Sequence, residues 1–159
     1  MTYTIRRLSP EELPQAFSLI WDTFLEFEAP DYGPEGVASF RKTIIEDQSF
    51  QAACRSGENR MWGAFDGAML VGVWGMRGPS HICLVFTHKD YHRQGIAMAI
   101  FQKLLTDVRA EAPELTELTL NSSPYGKPFY HHAGFTDTAP EQTVDGIRFT
   151  PMVYPLSAP

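Results

Sequence analysis

HICLVFT, residues 81–87, is an almost unbroken apolar run, and the chain continues from it through the polar loop HKDYHRQG into IAMAIFQKLLTDVRA. A strand that is apolar at successive positions suits burial on both faces better than one wet face. It is therefore placed at the centre of a sheet. The helix that follows, ending near Ala110, turns Ile96, Ile100, Leu104, Leu105 and Val108 to one side. A junction of strand, loop and helix favours an anion, because first-turn N–H groups lack internal partners and the positive end of the macrodipole lies there. Gly95 lets the backbone approach a ligand closely, and Ala97 is nearly as small. Taken alone, such a loop fits many anions or none.

The remaining elements arrange themselves around this centre. Residues 3–7 read as a short strand; Ser9, Pro10 and Glu12 then open a helix that runs to about Phe27 with Leu13, Phe17, Ile20, Phe24 and Phe27 on one face. APDYGPEG breaks it, and Val37, Phe40 and Ile44 mark a shorter second helix, followed by a polar segment over 46–59. Two strands near 60–65 and 68–76 are joined at Asp66-Gly67, a dipeptide suited to the positive φ of a tight hairpin. Beyond the central helix, ELTLN (117–121) is a strand, PYGKPFYHHAG a short helix closed by Gly134, and FTDTA and IRFTPMVY the last strands. The predicted order is βααβββαβαββ.

Composition narrows the function. One core, and hence one domain over residues 1–159, is expected from 159 residues that are 43% hydrophobic, with 11 Phe, 6 Tyr and 3 Trp. A net charge of −6 disfavours a nucleic-acid partner. No stretch approaches the ~18 consecutive apolar residues of a membrane span, and no membrane partner is expected. Cys54 and Cys83 show neither metal-ligand spacing nor a disulfide framework, so reduced thiols and a cytoplasmic setting are expected. His88 with His92 and His131 with His132 lack the spacing of metal ligands, and no metal is expected. Ser122 and Ser123 lie in no G-x-S-x-G elbow.

There is no G-x-x-x-x-G-K-[ST] and no G-x-G-x-x-G. His92-Arg93-Gln94-Gly95-Ile96-Ala97 instead resembles the Q/R-x-x-G-x-G/A pyrophosphate loop of the GCN5-related N-acetyltransferases (GNAT), with His at the first position in place of Gln or Arg. NSSPYGKPFYHHAGF (121–135) resembles the end of that family's fifth strand, its exit Asn and its Y-x-x-x-G-F element, here Tyr130, Gly134 and Phe135. The resemblance spans essentially the whole chain, and the two N-terminal helices with a closing GIRFTPM strand are typical of one bacterial branch of small single-domain members. It implies an α/β (α+β) fold: a mixed, mostly antiparallel central sheet of six to seven strands with about four helices, strands four and five parallel and splayed.

The resemblance also implies acetyl-CoA as donor and direct transfer of the acetyl group, in a ternary complex, to an amine of a small molecule or protein. By position, the backbone of Val85, Phe86 and Thr87 would pair with pantetheine, Asn121 would help hold it, and the N–H groups between Arg93 and Ala97 would take the pyrophosphate, with the His92 and Arg93 side chains as supplementary donors. The loop residues are thus His92, Arg93, Gln94, Gly95, Ile96 and Ala97. Tyr130 is the candidate general acid for the leaving thiolate, since a phenol of pKa near ~10 stays protonated at neutral pH.

The base is less determined. His81 titrates in a useful range but equally marks a strand end. Glu28 and Asp31, near the helix break that lines the acceptor side in relatives, would attract a cationic amine or be plain surface acids. Acceptor specificity is expected around 28–36 and 140–146. The family forms dimers, and a homodimer through the final strand or a helix face is compatible with the sequence. A second reading, a non-catalytic sensor or interaction module binding CoA or acyl-CoA, is left open by His92.

Overall fold

The computed structural model describes residues 2–156. Eight strands form one sheet: β1 (Thr4–Arg7), β2 (Arg60–Asp66), β3 (Met69–Arg77), β4 (His81–Thr87), β5 (Glu117–Ser122), β6 (Thr136–Asp137), β7 (Gln142–Val144) and β8 (Ile147–Pro155). Five α-helices accompany them: α1 (Leu13–Thr23), α2 (Pro34–Phe40), α3 (Gln48–Ser56), α4 (Ile96–Glu111) and α5 (Lys127–Ala133). The spatial order is β1-β2-β3-β4-β5-β8-β6, with β7 paired to β8. All pairings are antiparallel except β4 with β5. The class and the parallel fourth and fifth strands match expectation.

Two apolar layers sandwich the sheet. On one side Ile96, Ile100, Leu104 and Val108 of α4 pack with Trp62, Trp74, Leu118 and Met152. On the other, Leu13, Ile20 and Phe24 pack with Phe50, Leu70, Val73 and Leu84. The central strand supplies both layers, Ile82 to the first and Leu84 and Phe86 to the second, which is why its sequence is apolar almost throughout.

The pairing of β4 with β5 is brief. Only His81 with Thr119 and Ile82 with Leu120 are in register, and beyond them the strands diverge. The cause lies on the opposite edge of β4, where Gly75 faces Leu84 and Met76 faces Ile82, so that Cys83 is an extra residue with no partner on β3. Such a bulge bends the strand and shifts which backbone groups face which neighbour. Beyond it, the bond from His88 N to the Val71 carbonyl fixes the alternation: Phe86 turns its N–H and C=O to β3, whereas Val85 and Thr87 turn theirs into the gap left by β5.

Three differences from the sequence reading have local physical causes. The first helix was expected to run regularly to Phe27. Its α geometry instead ends at Thr23, whose hydroxyl donates to the Leu19 carbonyl at 2.6 Å, and residues Phe24–Glu28 form a widened turn closed by Ala29 N to Phe24 O. The second helix widens in the same way over Arg41–Ile45, beside Thr43 donating to Ser39 O at 2.8 Å. The polar segment 46–59 contains a helix, α3, that was not expected: Asp47 caps it through Phe50 N at 2.9 Å, Gly57 ends it at φ 87°, and only Phe50 and Cys54 are buried. The connection over 140–146 adds β7, so the sheet has eight strands rather than six or seven, and the helices number five rather than four.

Candidate active site

Two cavities open into the gap between β4 and β5. The first, about 350 Å³, runs between the end of the widened turn, the α4 mouth and the start of α5, and is lined by Phe27, His92, Arg93, Gly95, Tyr125 and Phe129 among others. The second, about 290 Å³, lies on the other side, beneath the β7–β8 hairpin. Four residues line both: Glu28, Val85, Phe86 and Tyr130. Any group that passes from one cavity to the other passes these four.

The loop at the α4 mouth is built to present N–H groups. Arg93 has φ 62° and Gly95 φ 76°, so the chain alternates into left-handed conformation twice before the helix. Concave nests of N–H groups arise from this kind of alternation. The loop is pinned from behind. Gln94 accepts from the Tyr3 hydroxyl at 2.5 Å and donates to Asp90 O at 3.3 Å, so its side chain faces away from the cavity. Tyr91 donates to Asp66 at 2.7 Å, which anchors the loop to the β2–β3 turn.

His92 does structural work that its sequence position did not reveal. Its Nε2 lies 2.7 Å from the Thr87 carbonyl oxygen, and since a carbonyl only accepts, that nitrogen carries the proton. Its ring lies 4.7 Å from Phe27, which lies 5.3 Å from Tyr125. This aromatic row walls the first cavity. Phe27 and Tyr125 were not read as site residues, Phe27 because helical spacing assigned it to the core.

Tyr130 is buried among Trp74, Phe129 and Phe135, at ring separations of 6.4, 5.5 and 5.8 Å. Room for its ring is made at Gly126, where a Cβ would sit 2.8 Å from it. Burial, with smaller contributions from Glu28 and Tyr32, holds the phenol proton more tightly than usual. Glu28 is brought to the junction by the widened turn. Burial first, and the nearby Asp31 second, push its pKa up to about 8. No hydrogen bond or ion pair engages its carboxyl among the described residues.

Other expected residues fall elsewhere. His81 lines only the second cavity, at the paired end of β4, where Nδ1 lies 2.9 Å from Thr119 Oγ1; burial and then Arg77 lower its pKa. Asn121 is exposed and also lines only the second cavity, not the one beside the loop. Asp31 lines neither; its carbonyl oxygen accepts from Arg148 Nη1 at 3.3 Å. Phe86 contributes its side chain to the junction, its backbone being committed to β3. Tyr32 and Arg77, which line the second cavity, carry no motif and were not singled out. Among the described residues no group of three or more His, Cys, Asp or Glu could hold a metal ion, and no helix is long and apolar enough to cross a membrane.

Comparison with known proteins bears on this geometry. A family model described as an acetyltransferase (GNAT) domain matches residues 28–156. A GCN5-related N-acetyltransferase structure from Rhodopseudomonas palustris superposes with a TM-score of 0.78 at 20% identity, covering 98% of this chain and 96% of that one. The PaiA N-acetyltransferase of Thermoplasma acidophilum, in complex with coenzyme A, gives 0.77 at 19% identity, with coverages of 98% and 99%. The ribosomal-protein-S18-alanine N-acetyltransferase of Escherichia coli gives 0.66 at 16%, with coverages of 99% and 96%. No curated protein matches by sequence. The chain belongs to the GNAT acetyltransferase family and is an acetyl-CoA-dependent N-acetyltransferase.

Proposed function

We propose that the first cavity receives coenzyme A, the second receives the acceptor amine, and Glu28 and Tyr130 move the protons where the two meet. The observation that carries this reading is the sharing of Glu28, Val85, Phe86 and Tyr130 by both cavities. Acetyl-CoA supplies the activated acetyl group. The fit to this chain is visible in the N–H nest at Arg93 to Gly95 and in the unpaired backbone edge of Val85 and Thr87. With the Thr87 carbonyl occupied by His92, Val85 N–H and C=O and Thr87 N–H remain to pair with pantetheine amides. Arg93, exposed at the cavity wall, adds a positive charge for a phosphate.

Glu28, rather than His81, suits the base. His81 stands four residues from Val85, roughly 12 Å along an extended strand, whereas Glu28 is at the junction itself. A base with pKa near 8 takes a proton from an ammonium of pKa ~10.4 at a cost of about 3 kcal/mol, well within a catalysed barrier. The balance is then complete. Glu28 accepts the ammonium proton, the amine nitrogen bonds to the acetyl carbon and gives up its second proton to water, the carbon–sulfur bond breaks, and Tyr130 gives its proton to the departing sulfur. Tyr130 then regains a proton from solvent and Glu28 returns its own to solvent, so one proton is released per turnover. Asp31 acts at a distance by raising the Glu28 pKa. Two free thiols, Cys54 and Cys83, accord with a cytoplasmic location, and the size of the second cavity supports a small amine as acceptor.

Calorimetric titration with acetyl-CoA tests the whole reading: micromolar affinity is expected, and no binding would remove it. Release of free CoA on adding amines separates the enzyme from a non-catalytic CoA sensor. The nest has its own test in Gly95→Val. Open space surrounds a Cβ at that position, so the cost is the left-handed backbone alone, about 1–2 kcal/mol. Acetyl-CoA affinity should fall at least tenfold while Tm drops only a few degrees; unchanged affinity would place the pyrophosphate elsewhere.

A further inference from the structure

The second cavity has a carboxyl group at one end and a guanidinium at the other. Of the residues that line it, only Glu28 and Arg77 are among Asp, Glu, Lys and Arg. Glu28 is at the inner end, shared with the first cavity. Arg77 ends β3, opposite His81, and is exposed at the outer end. Neither takes part in any ion pair among the described residues. The Arg77 guanidinium rests 5.2 Å from the Phe50 ring centroid, a contact that steadies the side chain and leaves its hydrogen-bonding edge unused. Phe40, Ile44, Ile147 and Phe149 give the walls between an apolar strip, alongside the polar Thr43, Asn121 and Ser123.

The roof of this channel is held firmly in place. A Cβ on Gly36 would collide with the backbone of Gly146, so α2 and the β7–β8 turn touch main chain to main chain, and Ser39 Oγ donates to Asp145 O at 2.7 Å. Four residues of β4 separate the level of Arg77 from that of Val85, roughly 12 Å, which the arginine side chain shortens to on the order of 10 Å. The α-amine and α-carboxylate of one amino acid, separated by a single carbon, cannot bridge that span.

From this arrangement we infer that the acceptor is a linear amine with an anionic group about eight atoms from the nitrogen, its amine at Glu28, its apolar chain between the aromatic walls and its anion on Arg77. The inference rests on the assignment of the second cavity to the acceptor. It adds a specificity determinant, Arg77, which the motifs of the sequence do not contain.

The test measures kcat/KM by CoA release for octylamine, 1,8-diaminooctane, 4-aminobutanoate and 8-aminooctanoate. 8-Aminooctanoate should exceed octylamine and the diamine at least tenfold, the advantage should shrink with added salt, and 4-aminobutanoate should gain nothing. Arg77→Met, which keeps the stem on Phe50, should bring the ratio of 8-aminooctanoate to octylamine close to one; using the ratio cancels any general loss of activity. Equal values for the three eight-carbon amines, a preference for the diamine, or a preference that survives Arg77→Met would each overturn the inference while leaving the acetyltransferase assignment standing. CoA release with none of them, although acetyl-CoA binds, would overturn both.

Discussion

Tyr130→Phe is expected to lower kcat for CoA release by about 100-fold or more, with acetyl-CoA affinity within twofold of the parent and Tm nearly unchanged. The substitution removes one oxygen and keeps a ring of the same shape among Trp74, Phe129 and Phe135. Burial holds the phenol proton more tightly than usual, so at neutral pH the hydroxyl is protonated and placed to act as an acid rather than a base. Without it, the leaving sulfur departs as an unassisted thiolate in a poorly solvated site. Steady-state kinetics beside calorimetry reads the two effects separately, and an unchanged kcat would take Tyr130 out of the chemistry.

Glu28→Gln should have a comparable effect on rate and, unlike Tyr130→Phe, should stabilise the fold at alkaline pH. In the parent, kcat/KM should climb with pH through about 8 as the carboxyl ionises. In the Gln protein the profile should lose that limb and lie about 100-fold lower at pH 8. For stability the folded pKa is raised, from 4.5 to about 8, so between those values the native state binds more protons than the unfolded chain. The contribution of Glu28 is fully present below pH 4.5 and is lost as pH rises through 8. Above pH 8 an ionised carboxylate is held where water solvates it poorly. The 3.5-unit difference would convert to nearly 5 kcal/mol for a sealed site, but this carboxyl borders two open cavities, and about 2 kcal/mol is the reasonable figure. Glu28→Gln should therefore raise Tm at pH 9 by roughly 6 °C. A thermal scan at pH 9 that shows no gain would mean the carboxyl is freely hydrated, and its role as a tuned base would go with that result. A residue that weakens the fold in return for reactivity is common at active sites.

Much of this was legible from residue types. The apolar run at 81–87, the spacing of Ile96 to Val108 and the Tyr130-Gly134-Phe135 element all report interactions made by side chains close in sequence, and the structure has a strand, a helix and a capped helix there. Helix α3 was missed because its evidence is thin: two buried residues and a cap at Asp47, in a segment otherwise polar. The widened turn at Phe24–Glu28 was missed because the competition of the Thr23 hydroxyl for a helix carbonyl leaves no periodic trace. That omission mattered, because the turn is what delivers Glu28 to the junction. Arg77, Tyr32 and Tyr125 reach the cavities through tertiary contacts between elements far apart in the chain, which spacing cannot register. His92, the apparent departure from the family loop, has a definite place as the clasp between that loop and the end of β4.

The unpaired Cys83 on β4 has one more implication. Up to that residue the even-numbered backbone groups look toward β5; after it the odd-numbered ones do. One additional residue thus reverses the parity of the strand, and it is this reversal, not any particular side chain, that points the amides of Val85 and Thr87 outward. A free backbone edge on β4 is stored here as arithmetic. Exchanging Cys83 for another small residue leaves the count intact, and the outward edge lasts only while that residue stays out of the ladder: were Cys83 itself paired with Gly75, every residue after it would shift by one and the amides of Val85 and Thr87 would turn to β3.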